Sequence, residues 1–277
     1  MGRCRRRGAQ AGAGLGRGVD GRSPLTAPAP RDRAHLGAVG AAAAARLDRA
    51  AADLGVATGD LMAVAGFQCA RLAHRLLHAV GGGAVTVLAG HGNNGGDALA
   101  TARHLAGWGI AVRVVLVGES ERLRGLAAVQ WRAVVAAEIE AHVAATERAV
   151  ETRVAGSLGD ARLAVDGILG TGARGDPRAL EATAIRQLNR ARIARVLSID
   201  LPSGLDATSG VAGDPCVVAT DTAMLGVAKL GCLVRSAAAV TGTCWLADIG
   251  IPAAAFTGLG SPAPIWRDGD WRVVGPR

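Results

Sequence analysis

The sequence predicts an α/β fold, a three-layer sandwich in which helices cover both faces of a parallel β-sheet. Short apolar runs rich in β-branched residues alternate with helical stretches along most of the chain. This alternation is typical of parallel sheets, because two parallel strands need a long crossover connection between them. Hydrophobic residues make up 50% of the chain and charged residues 19%, so the chain can bury a core.

Two helices are predicted before the first strand. The helical pattern begins at Ala41, and residues 41–55 and 59–80 each suit one helix. In the second helix the apolar residues follow the helical spacing imperfectly, with Gln68 as the polar exception.

The alternating part of the chain follows. The apolar runs predict strands at 84–90, 110–118, 161–170, 193–200, 221–227 and 243–250. The segments between the first four of these strands predict helices at 93–109, 121–137 and 179–191. Ligands bind such sheets at the carboxyl ends of the strands, so we expect the chemistry there.

The positive charge lies mostly in the first residues. The chain has a formal net charge of +8, and residues 1–35 hold eight Arg against Asp20 and Asp32, which is +6 and leaves +2 for the rest. We therefore predict a disordered basic tail at 1–38, one domain at 39–255 and a C-terminal tail at 256–277. Nucleic-acid binding through this tail is an alternative. The charge distribution argues against it, because a nucleic-acid-binding domain would spread its positive charge over the folded surface.

Composition argues against several other classes of protein. Aromatic residues are 3% of the chain, too few for a base-stacking surface. No apolar run reaches the roughly 18 residues of a membrane span, so no membrane partner is expected. The five Cys are odd in number and lack metal-site spacing, which favours small buried hydrophobic residues in a reducing cytoplasm.

A glycine-rich loop follows the first strand. Residues 90–97 read Gly-His-Gly-Asn-Asn-Gly-Gly-Asp and open a helix. Glycines let the backbone approach a ligand closely, and the free N–H groups of a helix start favour a diphosphate. The Asn and Asp oxygens suit a hard cation or a ribose. The alternative is an ordinary turn with Asp97 as a cap.

Two further polar loops follow later strands. In the first, Asp166 ends a strand and a Gly-Thr-Gly loop follows at 170–172; in the second, Asp200 ends a strand and Ser203 offers a hydroxyl. Each of these is also compatible with an ordinary turn. Because three such loops follow three strands of one predicted sheet, we expect them to converge on one site. His91 is the histidine in a site loop, and we do not expect His74, His78 or His104 to act there.

These motifs, in this order, resemble the NAD(P)H-hydrate epimerases, the YjeF N-terminal-domain family. The resemblance rests on 90–97 with Ala102-Arg103, on Asp166 with 170–172, and on Asp200 to Gly204. The segments at 61–66, 229–231 and 241–242 also match, so that the resemblance covers about residues 41–252.

The resemblance implies a Rossmann-like isomerase that interconverts the R and S forms of hydrated NADH and NADPH. This is a nicotinamide-nucleotide repair step that supplies an S-specific dehydratase, and the family expectation includes a homodimer and a bound potassium ion. Carried over by motif, the potassium ligands would be Asn94, Asp166 and Ser203. The substrate-binding residues would be Asn93, Asn94, Gly95, Gly96, Asp97, Gly170, Thr171, Gly172, Ala173, Arg174, Gly175, Asp176 and Asp200.

Asp200 is the candidate catalytic residue. Epimerisation of the hydroxyl-bearing carbon requires its bond to oxygen, or the ring, to open and re-form, and a carboxylate can handle the protons. The chain departs from the family at Ala63, where Glu is usual, and at Ala98, where Gly is usual. A catalytically inactive nucleotide-binding or partner-binding protein is therefore the alternative function. The role of Lys229, the one Lys among 31 basic residues, stays open.

Overall fold

The computed structural model describes residues 37–259, 263–264, 266 and 271–274. Its centre is a β-sheet whose strands are β1 Ala84–Ala89, β2 Val112–Val117, β3 Glu140–Ala144, β4 Ala161–Gly167, β5 Arg195–Ile199, β6 Asp221–Leu225, β7 Thr243–Ala247 and β8 Trp271–Val274. The helices are α1 Ala41–Asp53, α2 Thr58–Ala79, α3 Asn93–Gly107, α4 Gly125–Ala136, α5 Glu147–Leu158, α6 Ala179–Arg190, α7 Leu230–Leu233 and α8 Ala238–Thr241. Short 3-10 helices cover Ser120–Arg122, Arg235–Ala237 and Ala253–Leu259.

The strand order is β3-β2-β1-β4-β5-β6-β7-β8. All neighbouring pairs are parallel except β7 and β8, which run antiparallel. The chain moves outward from β1 to β3 on one side and returns to pair β4 with the other side of β1. This reversal between β1 and β4 is the topological switch point, where the loops after the strands separate and leave a crevice.

Helices pack on both faces of the sheet, which confirms the predicted sandwich. One core cluster joins α2 and α3 to the face that carries Val85 and Val87, and a second joins α5 and α6 to the face that carries Leu88 and Ala164. Neighbouring residues of β1 point to opposite faces and are all buried after Ala84. This explains the continuous apolar run of β1, because a strand covered on both sides has no polar face.

The structure adds elements that the sequence analysis did not predict. They include α5 and the strands β3 and β8, which form the two edges of the sheet. In β3 only Ala144 is buried, so the apolar pattern that predicts a strand is weak there. The segment predicted as a C-terminal tail, 256–277, also contains residues that belong to the fold. Phe256 is buried, and Trp271–Val274 pairs with β7. Residues 1–36 of the predicted N-terminal tail lie outside the described residues.

Two observations concern the first two helices. Val64 at the predicted apolar spacing of α2 is 38% exposed, while the polar Gln68 is buried and donates a hydrogen bond to the Asp248 carbonyl oxygen at 3.0 Å. Among the described residues no single helix has the length and apolar character of a membrane span; α1 and α2 reach it only as a pair bent by 118°.

Candidate functional site

A cavity of about 500 Å³ opens at the switch point of the sheet. The loops after β1, β4 and β5 line it, as the sequence predicted, and α1 and the start of α2 add further wall. The lining residues that carry polar side chains are Asp48, Thr58, His91, Asn93, Asn94, Asp97, Thr171, Glu181, Asp200 and Lys229. The carboxyl ends of parallel strands therefore meet several titratable groups in one crevice.

The loop after β1 packs against the loop after β4 without room for side chains. Gly90 N–H donates to the Gly167 carbonyl oxygen at 3.1 Å, and a Cβ on Gly90 would lie 2.0 Å from the Ile168 carbonyl oxygen. A Cβ on Gly95 would lie equally close to the Gly90 carbonyl oxygen, at 2.0 Å. These contacts place the N-terminus of α3 at the cavity, where its free N–H groups can bind an anionic group.

Asp166 is fully buried at the end of β4 and is held by four hydrogen bonds. It accepts from Ser198 Oγ at 2.8 Å, from Ser203 Oγ at 2.6 Å and N–H at 2.9 Å, and from Ile168 N–H at 3.2 Å. Burial raises the pKa of Asp166, and the hydrogen bonds from Ser203, Ser198 and Ile168 oppose this rise. The network ties the end of β4 to the loop after β5.

Asn94 lies beside the same network and has an unsatisfied oxygen. Its Nδ2 donates to the Leu169 carbonyl oxygen at 2.8 Å, while Leu169 N–H donates to Ser203 Oγ at 2.8 Å. Asn94 Oδ1 is buried and has no hydrogen-bond partner in the described part of the chain. A buried oxygen without a donor requires an explanation, and a hard cation provides one. The amide, carboxylate and hydroxyl oxygens of Asn94, Asp166 and Ser203 thus form a donor set that fits potassium.

Asp200 forms an ion pair with Lys229 at the cavity wall. Asp200 has a left-handed backbone conformation, with φ of 67°, at the end of β5. Its Oδ1 accepts from Leu225 N–H at 3.1 Å and contacts Lys229 Nζ, which also donates to the Leu225 carbonyl oxygen at 2.8 Å. Lys229 is only 3% exposed. Its role, which the sequence left open, is therefore to pair with Asp200.

Two more carboxyl groups belong to this charge cluster. Asp97 in the first turns of α3 is buried, and the loss of water raises its pKa well above the usual value; Asp200 and Asp48 raise it further and Lys229 lowers it. Asp48 on α1 was not among the predicted site residues, and its pKa is also raised by burial of the carboxyl group. One feature of the sequence could have indicated Asp48 as a site residue. It is an acidic residue beside the buried face of an alanine-rich helix, next to Leu47 and one turn before Ala51.

Several predicted site residues lie outside the cavity lining. Gly95 and Gly96 are buried within the first turn of α3, and a Cβ on Gly96 would lie 2.5 Å from the Met62 Cε. Arg174 donates to the carbonyl oxygens of its own loop, Thr171 and Ala173, both at 2.8 Å. Asp176 accepts from Asp214 N–H at 3.0 Å. Gly175, like Arg174 and Asp176, is exposed.

Predicted substrate-binding residues on the cavity wall are Asn93, Asn94, Asp97, Gly170, Thr171, Gly172, Ala173 and Asp200. His91 joins them, and its Nε2 lies 2.8 Å from the Glu119 carbonyl oxygen. His74 and His104 instead contact Trp108 in an aromatic cluster away from the cavity lining.

The two departures from the family pattern are accommodated differently. Ala98 is fully buried, and a Cβ on Gly167 would lie 2.4 Å from the Ala98 Cβ, so the missing side chain of Gly167 makes room for Ala98. Ala63 is exposed on α2 and does not line the cavity, whereas its neighbours Leu61 and Met62 do.

Several named proteins are similar in sequence to this chain. A protein of Cenarchaeum symbiosum named NAD(P)H-hydrate epimerase is 40% identical over 162 residues, which cover 57% of this chain and 70% of the relative. A protein of the same name from Pirellula staleyi is 37% identical, with 50% and 60% covered. A bifunctional NAD(P)H-hydrate repair enzyme of Methanothermobacter thermautotrophicus is 37% identical, and the chain spans 34% of its length.

A solved structure shows the same fold. The crystal structure of yeast ynu0 superposes with a TM-score of 0.73 at 24% sequence identity, covering 87% of this chain and 100% of the yeast chain. The sequence model of the family described as YjeF-related protein N-terminus matches residues 58–231, the part that contains all three motif loops. The chain belongs to the family of YjeF-related protein N-terminus domains.

Proposed function

We propose that the protein is an isomerase that interconverts the R and S forms of hydrated NADH and NADPH. The observation that carries this proposal is the convergence of the three motif loops on one cavity, with the Asp200–Lys229 ion pair in its wall. The relatives named NAD(P)H-hydrate epimerase support the same activity. An S-specific dehydratase would consume the product, and the bifunctional repair enzymes among the relatives support this partner.

The cavity supplies the groups that such a substrate needs. The start of α3, with Asn93 and Asn94, and the loop at Gly170–Ala173 would bind the diphosphate and ribose through backbone N–H groups and amide side chains. Asp200 would handle protons at the hydroxyl-bearing carbon or stabilise a cationic ring, because Lys229 and Leu225 N–H hold its carboxylate in place. Gly95, Gly96, Arg174, Gly175 and Asp176 would act by shaping these loops.

Potassium is the proposed cofactor. Asn94, Asp166 and Ser203 would hold it, and the unsatisfied oxygen of Asn94 supports this assignment. When bound, the ion would supply positive charge near the diphosphate and keep the three loops in register. We place the activity in the cytoplasm, a proposal supported by the four free and buried cysteines of the described residues. The homodimer implied by the resemblance stays a prediction, which sedimentation analysis would test.

A coupled assay tests the proposed function. The R form of hydrated NADH is supplied with an S-specific dehydratase, its nucleotide and potassium, and the recovery of NADH is followed with and without the protein. Because the hydrate epimerises slowly unaided, the expected result is a faster recovery that Asp200→Asn abolishes. A folded sample that binds the hydrate but gives no acceleration would overturn the proposal in favour of the non-catalytic alternative.

A further inference from the structure

Two carboxyl groups reach the cavity from different elements and have unequal surroundings. Asp200 extends from the end of β5, and Asp48 extends from α1, where Ala44 and Ala45 also line the cavity. Both residues line the same cavity, and the negative charge of Asp200 raises the pKa of Asp48. A reaction that exchanges a group between two faces of a ring requires a proton donor and a proton acceptor.

The contacts of Asp200 involve one of its two carboxyl oxygens. Its Oδ1 receives a buried ammonium, Lys229 Nζ, and a backbone N–H, that of Leu225. Both groups are donors, and together they fix the orientation of the carboxyl group at the cavity wall. The other oxygen, Oδ2, accepts no hydrogen bond from the described residues, so it is available to accept a proton.

The carboxyl group of Asp48 has different surroundings. Within the described residues Asp48 makes no ion pair or hydrogen bond, and the residue is exposed where it lines the cavity. Burial of its carboxyl group raises the pKa, the charge of Asp200 raises it further, and Lys229 and Arg49 lower it without reversing the rise. Asp97 is the other carboxyl group that interacts with Asp48. A carboxyl group that lines the cavity, has no hydrogen-bond donor of its own and has a raised pKa is suited to donate a proton.

We propose that Asp48 is a second catalytic residue, the acid that works with Asp200 as the base in the epimerisation. This inference rests on the proposed function. Asp48 donates its proton to the hydroxyl of the hydrate, the C–O bond breaks, and its electron pair leaves with water. The ring nitrogen shares its lone pair with the carbon to form a C=N⁺ bond. Water then adds to the other face, the new C–O bond forms, and Asp200 takes the proton; exchange with solvent returns the pair to its starting state.

The test compares Asp48→Asn, which cannot donate the proton, with Asp48→Glu, which can, and with Asp53→Asn. Asp53 is the matched control, because it ends the same helix, is exposed and does not line the cavity. For each variant the coupled assay gives kcat and KM between about pH 5 and pH 9, and circular dichroism reports folding. Since a general acid contributes about 10²- to 10⁴-fold, we expect Asp48→Asn to lower kcat by at least about 100-fold.

Further readouts separate an acid from a structural residue. We expect Asp48→Asn to leave KM within about threefold and to remove the alkaline decline of kcat that deprotonation of the acid causes, while Asp48→Glu restores part of kcat. In ¹⁸O-labelled water the epimerised product should carry one labelled oxygen per turnover. Asp53→Asn should behave as the natural chain does.

The outcomes distinguish this inference from the proposed function. If the natural chain does not accelerate epimerisation, the proposed function fails and the role of Asp48 falls with it. If the natural chain is active and Asp48→Asn keeps kcat within about twofold with an unchanged alkaline limb, only the role of Asp48 is overturned. Retention of the original oxygen in the product would overturn the bond-breaking step.

Discussion

Lys229 Nζ lies against Asp200 Oδ1 and at the same time donates a hydrogen bond to the Leu225 carbonyl oxygen at 2.8 Å. The single lysine of the chain thus forms an ion pair with one carboxylate. Val39 holds the backbone of this residue in place, because it accepts from Leu230 N–H at 3.0 Å and donates to the Ala228 carbonyl oxygen at 2.8 Å. The segment before α1 and the loop after β6 therefore position the ion pair together.

We expect Lys229→Met to lower the free energy of unfolding by about 3 kcal/mol or more, because it leaves the Asp200 charge without a partner in a largely buried site. Urea denaturation at neutral pH measures this loss. The double change Lys229→Met with Asp200→Asn should recover at least about 1 kcal/mol, since the unpaired charge is then gone. If Lys229→Met alone is as stable as the natural chain, the ion pair does not contribute to the free energy of unfolding.

The second prediction concerns the cation ligands. We expect potassium to raise the Tm of the natural chain above that in choline chloride at equal ionic strength, because an ion that binds only the folded state stabilises it by about 2.7 kcal/mol at 100 times its Kd. Ser203→Ala should lose this rise, since Ser203 Oγ belongs to the proposed donor set.

Ser209→Ala is the matched control, because Ser209 is exposed and bonds only Asp206 and Val211 N–H among the described residues. It should keep the potassium-dependent rise in Tm. An equal rise in both serine variants would contradict the assignment of Ser203.

The third prediction concerns the close approach of two loops. Gly90→Ala would place a methyl group 2.0 Å from the Ile168 carbonyl oxygen, so the loops after β1 and β4 would have to separate. We expect a loss of about 2 kcal/mol or more in the free energy of unfolding. Gly92→Ala is the control in the same loop, because a Cβ there meets nothing within 4 Å; it should cost no more than about 0.5 kcal/mol.

The fourth prediction concerns Asp97 and pH. Its pKa in the folded state lies well above the ordinary 3.8, chiefly because the carboxyl is buried. Below pH 3.8 the Asp97 carboxyl is protonated in both the folded and the unfolded state. As the pH rises above 3.8, the unfolded state loses this proton first. The free energy of unfolding therefore falls until the pH passes the pKa of the folded state. We expect Asp97→Asn to raise the free energy of unfolding by about 1 kcal/mol or more at pH 8 and by much less at pH 4.

Denaturant unfolding at the two pH values measures this difference. Asp53→Asn, at an exposed position on α1, is the control and should change the free energy of unfolding by no more than about 0.5 kcal/mol. A stabilisation by Asp97→Asn that is the same at both pH values would show that titration of Asp97 does not govern it.

The central strands were predictable and the edge strands were not. In β1 every residue after Ala84 is buried, and the strand reads as a nearly continuous apolar run; in β6 all five residues are buried, and the apolar run follows Asp221 and Thr222. The edge strands β3 and β8 have a neighbour on one side only, and β3 buries a single residue. Burial produces the apolar pattern, and strands that bury little leave little of it in the sequence.

The sequence by itself determined the α/β class, the order of the central strands along the chain and the three polar loops that end them. These follow from local patterns: apolar runs, helical spacing, and Gly, Asn and Asp at strand ends. Only the tertiary structure decided that Asp48 from α1 reaches the cavity, that Lys229 pairs with Asp200, and that Arg174 and Asp176 lie outside the cavity lining. Contacts between distant segments depend on how helices and strands pack, and the spacing of residues along the chain does not record that packing.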